Sequence, residues 1–382
     1  MALNFDTTGI EKEVKITDMN DDLMIYCYEE CHDASPDRVK DCRGIVTDHS
    51  GNIVMKTFGY TSEYQCIPTN KNLLNDLLPS IENYQIYDSQ EGCLIRVFFY
   101  KDKWYISTHK KLDAITSRWS SNETFGEIFE KAVEKYYNSD NELKGKIGGN
   151  LEGFDEIFKN LTSLFDKERS YMFLIRNTEA NRIVCEASEY EFYYTGSLKL
   201  DGSDFDFPDV GIRSPKKNEF KNIDELVDYV NNLDYTKTPG VIVYTPSPVK
   251  ILNETYSNLF NLRGNEPSIK FRYLQLRTTP QVEEYIKLYP TRVNDFSEYE
   301  DILSHIAENV HKCYISRFVK KEFATVPQEQ YCIVQQCHEW YKENRTNPFN
   351  RVTLAVVKGI LNRQNAVTLN RMIKKYKNSQ EH

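Results

Sequence analysis

Three times between residues 43 and 187 the sequence sets two apolar runs around a short polar break. A break that short can only fold a strand back onto its neighbour, because a parallel partner needs a crossover of a dozen residues or more. RGIVTDHSGNIVMKTF (43–58) turns at a Ser-Gly pair, and CLIRVFFYKDKWYIST (93–108) at Lys-Asp-Lys. YMFLIRNTEANRIVCEA (171–187) repeats the form, and GVIVYT (240–245) is a short apolar strand after a Pro-Gly break. Helical stretches lie between them at 122–139 and 222–233, and KGKIGGNLEG (144–153) reads as a flexible connection. Hairpins interleaved with helices, without regular alternation, predict an α+β fold of antiparallel sheets rather than a doubly wound parallel sheet.

After Arg277 the pattern changes. Ser297 stands three residues before Glu300, the spacing of a capping box, and Tyr299, Ile302, Ile306, Val310 and Ile315 keep near-helical intervals. Further helices are expected at 328–343, 350–362 and 367–377, punctuated by Pro290, Pro327 and Pro348. The reading is two domains: an α+β domain over 1–275 and an all-α domain over 276–382.

Composition removes several function classes. Hydrophobic residues make up 40% of the 382, with 26 Tyr and 20 Phe, so the chain buries substantial cores and is not disordered. No run approaches the length of a membrane span, and the start MALNFDTTGIEKEVKITD has no basic, apolar leader, so neither a membrane nor a signal peptide is expected. Nine cysteines point to reduced thiols in a cytoplasmic setting. CYEECH (27–32) comes nearest to a metal signature, but no second ligand pair follows, and free thiols are expected in place of a metal.

Net charge is −9, yet the eight basic residues between Asn344 and Gln380 (Arg345, Arg351, Lys358, Arg363, Arg371, Lys374, Lys375 and Lys377) meet no acid. An acidic body with a basic end suits a protein that touches phosphate with one surface. A solvated basic terminal helix accounts for the same run equally well.

Four stretches, in order, resemble the ATP-dependent RNA ligase family of T-even phage type, within the nucleotidyltransferase superfamily. CRGIV (42–46) is similar to the family's early Arg-Gly strand. SQEGCLIR (89–96) with WYISTHKKLDA (104–114) resembles the nucleotidyl-lysine motif and the strand behind it. NRIV (181–184) is similar to the third motif, PGVIV (239–243) and VKIL (249–252) to the fourth and fifth. The resemblance spans about 40–275, the helical end fits in kind, and large DNA viruses encode proteins of this appearance.

The resemblance implies a lysine that attacks the α-phosphate of ATP, Mg²⁺ and further lysines to offset phosphoryl charge, and carboxylates for metal and ribose. Here Glu91 and Gly92 hold their places, but the lysine's place is Ser89. The third-motif acid falls at Leu174 or Ile175, the fourth-motif Glu is Pro239, and the second lysine of the fifth motif is Leu252, with Lys250 retained. A serine hydroxyl is a poor nucleophile without an adjacent base, and leucine and proline bind no metal. The resemblance therefore implies a degenerate nucleotide pocket around Ser89, Glu91, Gly92, Arg96, Lys110, Lys111, Arg176 and Lys250, with no catalytic residue and no cofactor. Lys110 or Lys111 sits where the family keeps a phosphate-handling lysine. For Arg96 and Arg176 an ordinary strand-face ion pair is the competing reading.

NLFNLRGNEPSIKFRYLQLR (258–277) interleaves Arg263, Lys270, Arg272 and Arg277 with Phe260, Phe271 and Tyr273. Such a run stacks on bases and pairs with phosphates, or is simply the strand that joins two domains. With Arg371, Lys374 and Lys375 it makes the expected RNA-binding set. The function expected is an RNA- or nucleotide-binding or assembly module that has lost lysine adenylylation, partnered by RNA or by protein, in the host cytoplasm or the virion. The alternatives are an active ATP- and Mg²⁺-dependent RNA ligase with a relocated lysine, and a structural virion component.

Overall fold

The structure, a computed structural model, describes residues 4–176, 183–186, 189–245, 247–346 and 350–380. It divides into two compact units, Met1–Phe260 and Asn261–His382.

The first unit is strand-rich. Its strands begin with β1 (Val14–Met19), β2 (Leu23–Tyr28), β3 (Arg43–Asp48), β4 (Ile53–Met55), β5 (Ser62–Gln65) and β6 (Gln85–Asp88). They continue with β7 (Cys93–Tyr100), β8 (Lys103–Ser107), β9 (Arg169–Arg176) and β10 (Glu191–Lys199). The last are β11 (Lys217–Asn218), β12 (Gly240–Tyr244) and β13 (Val249–Leu252). Three sheets result, in the orders β1-β2-β3-β4, β10-β9-β7-β8 and β11-β6-β12-β13-β5. Within them the pairings are antiparallel, save that β13 runs parallel to β5. The unit is α+β, as its hairpin signals predict.

Helices α1 (Asp37–Lys40), α2 (Lys71–Leu77), α3 (Phe125–Ser139), α4 (Asn141–Ile147), α5 (Gly153–Thr162) and α6 (Ile223–Asn231) cover the sheets. The Thr124 side chain accepts from the Glu127 amide while Glu127 reaches back to Thr124, a capping box that starts α3. That helix lays Phe129 against Phe173 of β9 and Phe192 of β10 in the core of the second sheet. Leu74 of α2 and Leu226 of α6 pack on Ile86, Val241 and Ile251 of the third. Phe98 and Tyr105, from β7 and β8, pack with Leu23, Ile25, Val46 and Met55 of the first sheet.

The second unit is helical throughout its described residues. It takes in the end of α7 (Glu254–Arg263), then α8 (Ile269–Leu276), α9 (Val282–Leu288), α10 (Val293–Tyr314), α11 (Gln328–Glu343), α12 (Leu354–Asn362) and α13 (Ala366–Gln380).

Four expectations change. The partner of β9 is β10, and residues 183–186 are loop, because Glu91 holds their amides (below); residues 177–182 and 187–188 of that stretch lie outside the described residues. Residues 144–147 of the stretch 144–153 belong to α4, whose N-cap Asp140 accepts from the Leu143 amide. Ser297 caps nothing: α10 begins at Val293, four residues earlier. The run 258–277 is the end of α7 and the whole of α8 joined by a turn, not a joining strand. Pro348 lies outside the described residues.

Two glycines let backbones approach closely, Gly92 against β9 of the second sheet and Gly240 against β13 within the third. A Cβ on Gly92 would lie 2.5 Å from the Ile175 carbonyl oxygen, and one on Gly240 would lie 2.0 Å from that of Ile251. Backbone cannot yield as a flexible side chain does, so Gly240→Ala is expected to cost about 3 kcal/mol or more. Gly145, in α4 with open space around it, is the control: Gly145→Ala should gain about 0.5–1 kcal/mol. Denaturant midpoints of the two variants check the contrast.

Candidate site at the junction of two sheets

Residues 89–92 connect β6 of the third sheet to β7 of the second. The Ser89 amide donates to the Gly240 carbonyl at 2.8 Å, extending the β6–β12 ladder by one step. Ser89 is 3% exposed. Strand alternation puts it on the same face as Tyr87, where rings gather: Tyr87 stacks on Phe207 at 4.3 Å and Tyr244 on Phe205 at 4.3 Å. Tyr194 of β10 meets Phe207 from the second sheet, and the Tyr244 hydroxyl donates to the Thr195 carbonyl. Aromatic side chains thus occupy the space between the two sheets beside Ser89.

Neither carboxylate near Ser89 is uncommitted. Asp88 accepts from the Asn218 amide group at 2.7 Å and from the Tyr229 hydroxyl at 2.8 Å. Glu91, buried, accepts from the amides of Ile183 (2.7 Å), Val184 (2.9 Å) and Cys185 (3.1 Å). The Tyr256 hydroxyl donates to it at 3.2 Å, and burial together with the Glu91 charge pushes the Tyr256 pKa up, so the phenol stays a donor. A carboxylate facing three successive amides is a strong, charge-assisted arrangement. It fastens the 183–185 loop to the junction.

The cations expected around the pocket fall into two sorts. Lys111 pairs with Asp18 at 3.4 Å, Lys250 with Glu63 at 2.7 Å, and Arg176 with Glu191. Arg96 is fully buried, its guanidinium bridging the carbonyls of Gly44 and Thr108, and burial pushes its pKa down to about 9. It ties β3 to the end of β8. Lys110, exposed, and the half-buried Arg43 have no ion-pair partner among the described residues. Between them His109 has its pKa pushed down to about 3, by burial first and then by Arg43, Arg96 and Lys110. The neighbourhood is therefore positive and favours an anion.

Leu174 lies within β9 opposite Leu94 and Tyr193. The buried Pro239 offers its carbonyl to the Asn253 amide, and buried Leu252 pairs with Gly240. These three side chains bring no metal ligand to the junction, and no group of three His, Cys, Asp or Glu able to hold a metal occurs among the described residues. Cys27 is buried and Cys31 half-buried; both are free thiols. Sequence reasoning passed over Arg43 and His109 as site residues, though both stand inside quoted motifs. Tyr256 carried no signal, because its role depends on a contact 165 residues away.

In the second unit the residues 263–277 turn inward. Arg263 is fully buried and donates to the carbonyls of Glu266 and Pro267; Arg272 donates to that of Leu262. Lys270 pairs with Asp295, and Arg277 with Glu300. Lys375 and Lys377 pair with Glu329 and Glu298. By contrast Arg345, Arg351, Lys358, Arg363, Arg371 and Lys374 are exposed, with no ion pair among the described residues. Residues 261–382 hold 19 basic and 13 acidic side chains, a balance of +6; residues 1–260 hold 29 and 44, a balance of −15. The acidity of the chain belongs wholly to the first unit.

No protein-family model matches the chain. It is similar to an immediate-early protein ICP-46 homolog of Invertebrate iridescent virus 6, 28% identical over 364 residues, which are 87% of this chain and 76% of that one. A candidate bifunctional polynucleotide kinase/RNA ligase of Autographa californica nuclear polyhedrosis virus is 21% identical over 307 residues, 76% of this chain and 41% of that one. Among solved structures, a candidate ATP-dependent DNA ligase from Aquifex aeolicus superposes with a TM-score of 0.41 at 12% identity, over 75% of this chain and 70% of that one. No described helix is long and apolar enough to cross a membrane.

The Glu91 clamp has a measurable weight. A hydrogen bond to a charged group contributes about 1.5–3 kcal/mol, and an amide left buried and unpaired costs about 1–3 kcal/mol. Glu91→Ala should therefore lower the stability of the first unit by about 3 kcal/mol or more, and Tyr256→Phe by about 1 kcal/mol. Urea unfolding followed by tyrosine and tryptophan fluorescence checks both.

Proposed function

We propose that this is a viral RNA-ligase-like protein that binds RNA and no longer adenylylates a lysine. The observation that carries the reading is the division of charge, +6 on residues 261–382 against −15 on residues 1–260. Polyanion binding depends on local positive surface, and a chain of net −9 repels nucleic acid unless its cations are gathered apart from its acids. Here six exposed basic side chains between Arg345 and Lys374 have no internal partner among the described residues. Internal pairing takes Arg263, Lys270, Arg272 and Lys375 out of the RNA-binding set and leaves Arg371 and Lys374.

The loss of adenylylation rests on Ser89. Its hydroxyl has no histidine beside it in sequence, and the acid two residues on is spent on backbone amides. The similarity to a viral protein named for RNA ligase activity supports an RNA partner. Arg43, His109 and Lys110 would suit a phosphate of that RNA or of a nucleotide. The host cytoplasm or the virion is the setting proposed.

Single-stranded RNA titrated into the full chain at several salt concentrations tests the reading. Binding should weaken as salt rises, with each phosphate contact contributing about 0.7 log units of affinity per log unit of salt. The double variant Arg371→Glu, Lys374→Glu should bind more weakly on every RNA sequence and lower that slope by about 1.4. No binding at low salt, or the same affinity and slope in the variant, overturns it.

A further inference from the structure

At the C-terminal end of α10 the helix widens into a π-turn over Ile315–Lys320 and stops at Lys321, which is left-handed at φ 62°. Such widened turns recur at functional sites because the extra residue re-aims neighbouring side chains. Here it leaves Val319 62% exposed and Phe323 90% exposed. A Phe ring left almost wholly in water is a large apolar group that no described residue of its unit covers.

The widened turn and α11 have two further properties. Phe318, five residues before Phe323, stacks on His338 of α11 with centroids 4.0 Å apart, and His338 is followed by Tyr341 at 6.2 Å and 13°. The three rings form a near-parallel column whose last member, Tyr341, is exposed. Around the column stand Arg317, Lys320, Lys321, Lys342 and Arg345, all exposed and without an ion pair among the described residues, against Glu322, Glu339 and Glu343. Arg317 lies over the Tyr331 ring at 4.8 Å, and Lys342, Lys321 and Arg345 all act electrostatically on His338. Phe318 also packs on the buried Tyr314, so the column is open at Tyr341; an open ring among excess cations matches unpaired bases strung on phosphates, the base adding to the ring face and each phosphate meeting a cation. A duplex hides its base faces and gains nothing from the rings.

We propose that the patch formed by Phe323, Tyr341 and the Phe318–His338 stack, with Arg317, Lys320, Lys321, Lys342 and Arg345, is a base-stacking site for single-stranded nucleic acid. It is separate in residues from Arg371 and Lys374. The inference rests on the RNA-binding reading and locates where unpaired bases, as opposed to phosphates, are held.

The test uses the full chain, a fluorescein-labelled single-stranded 12-mer and a duplex of the same length, read by fluorescence anisotropy. Phe323→Ala and Tyr341→Ala should each weaken single-strand binding about 5- to 100-fold, the scale of losing one base–aromatic stack. The salt slope should not move, since neither ring carries charge, and duplex binding should be unchanged. Phe323 is exposed, so its variant should melt at the wild-type temperature. Single-strand affinity unaltered in both variants, while the wild type binds, overturns this inference and leaves the RNA reading standing. No binding by the wild type at low salt overturns both. Phosphatidylserine vesicles that lose the Phe323→Ala variant while RNA retains it would assign the patch to a lipid surface and overturn the inference.

Discussion

The carboxylate of Glu91, facing the amides of Ile183, Val184 and Cys185, holds together segments far apart along the chain. It stands in the short connection between two sheets and grips a loop 92 residues further on, while Tyr256 closes on it from a third segment. Sheets that meet at such a connection need their backbones close, which Gly92 allows, and need the buried polar groups there satisfied. Glu91 meets the second demand for three amides at once. At this connection the carboxylates of Asp88 and Glu91 are both occupied by the protein itself.

That occupation is consistent across the junction. Asp88 is taken by Asn218 and Tyr229, Lys111 by Asp18, Lys250 by Glu63 and Arg176 by Glu191. Arg96 is spent on two carbonyls, and the rings of Tyr87, Tyr244, Phe205 and Phe207 occupy the inter-sheet space. Arg43 and Lys110 have no ion pair among the described residues, though Arg43 donates to the Thr61 hydroxyl, and His109 has its pKa pushed down by burial first and then by Arg43, Arg96 and Lys110. The second unit repeats the division, with inward cations along 263–277 and outward ones along 345–374. Buried Arg96 and Arg263 donate to backbone carbonyls, while the cations from Arg345 to Lys374 stay exposed.

The hairpins and the helical end were legible because their signals are local. A period of two around a short break identifies β3–β4 and β7–β8, and α11 falls on the expected 328–343. Partnership at long range was not. NRIV reads as the return of a hairpin from its apolar residues, but Val184 is buried in a loop because a carboxylate holds it there. The basic-aromatic run 258–277 looks like a nucleic-acid face until its partners Asp295 and Glu300 arrive from α10. Ser297 and Glu300 have capping-box spacing inside a helix that had already begun. In each case the deciding contact joins residues that no window along the sequence holds together.

The central claim is that the junction at Ser89 is a structural anchor and forms no bond to a nucleotide. Incubation with α-³²P-labelled ATP or GTP and Mg²⁺ or Mn²⁺, followed by a denaturing gel, tests it most directly. The account predicts no labelled band for the wild type, and none for Ser89→Lys, since Leu174, Pro239 and Leu252 would still stand where metal and phosphate ligands are needed. A band that survives denaturation in the wild type would contradict it, and mapping the label to Lys110 would make the protein a nucleotidyltransferase with a displaced lysine.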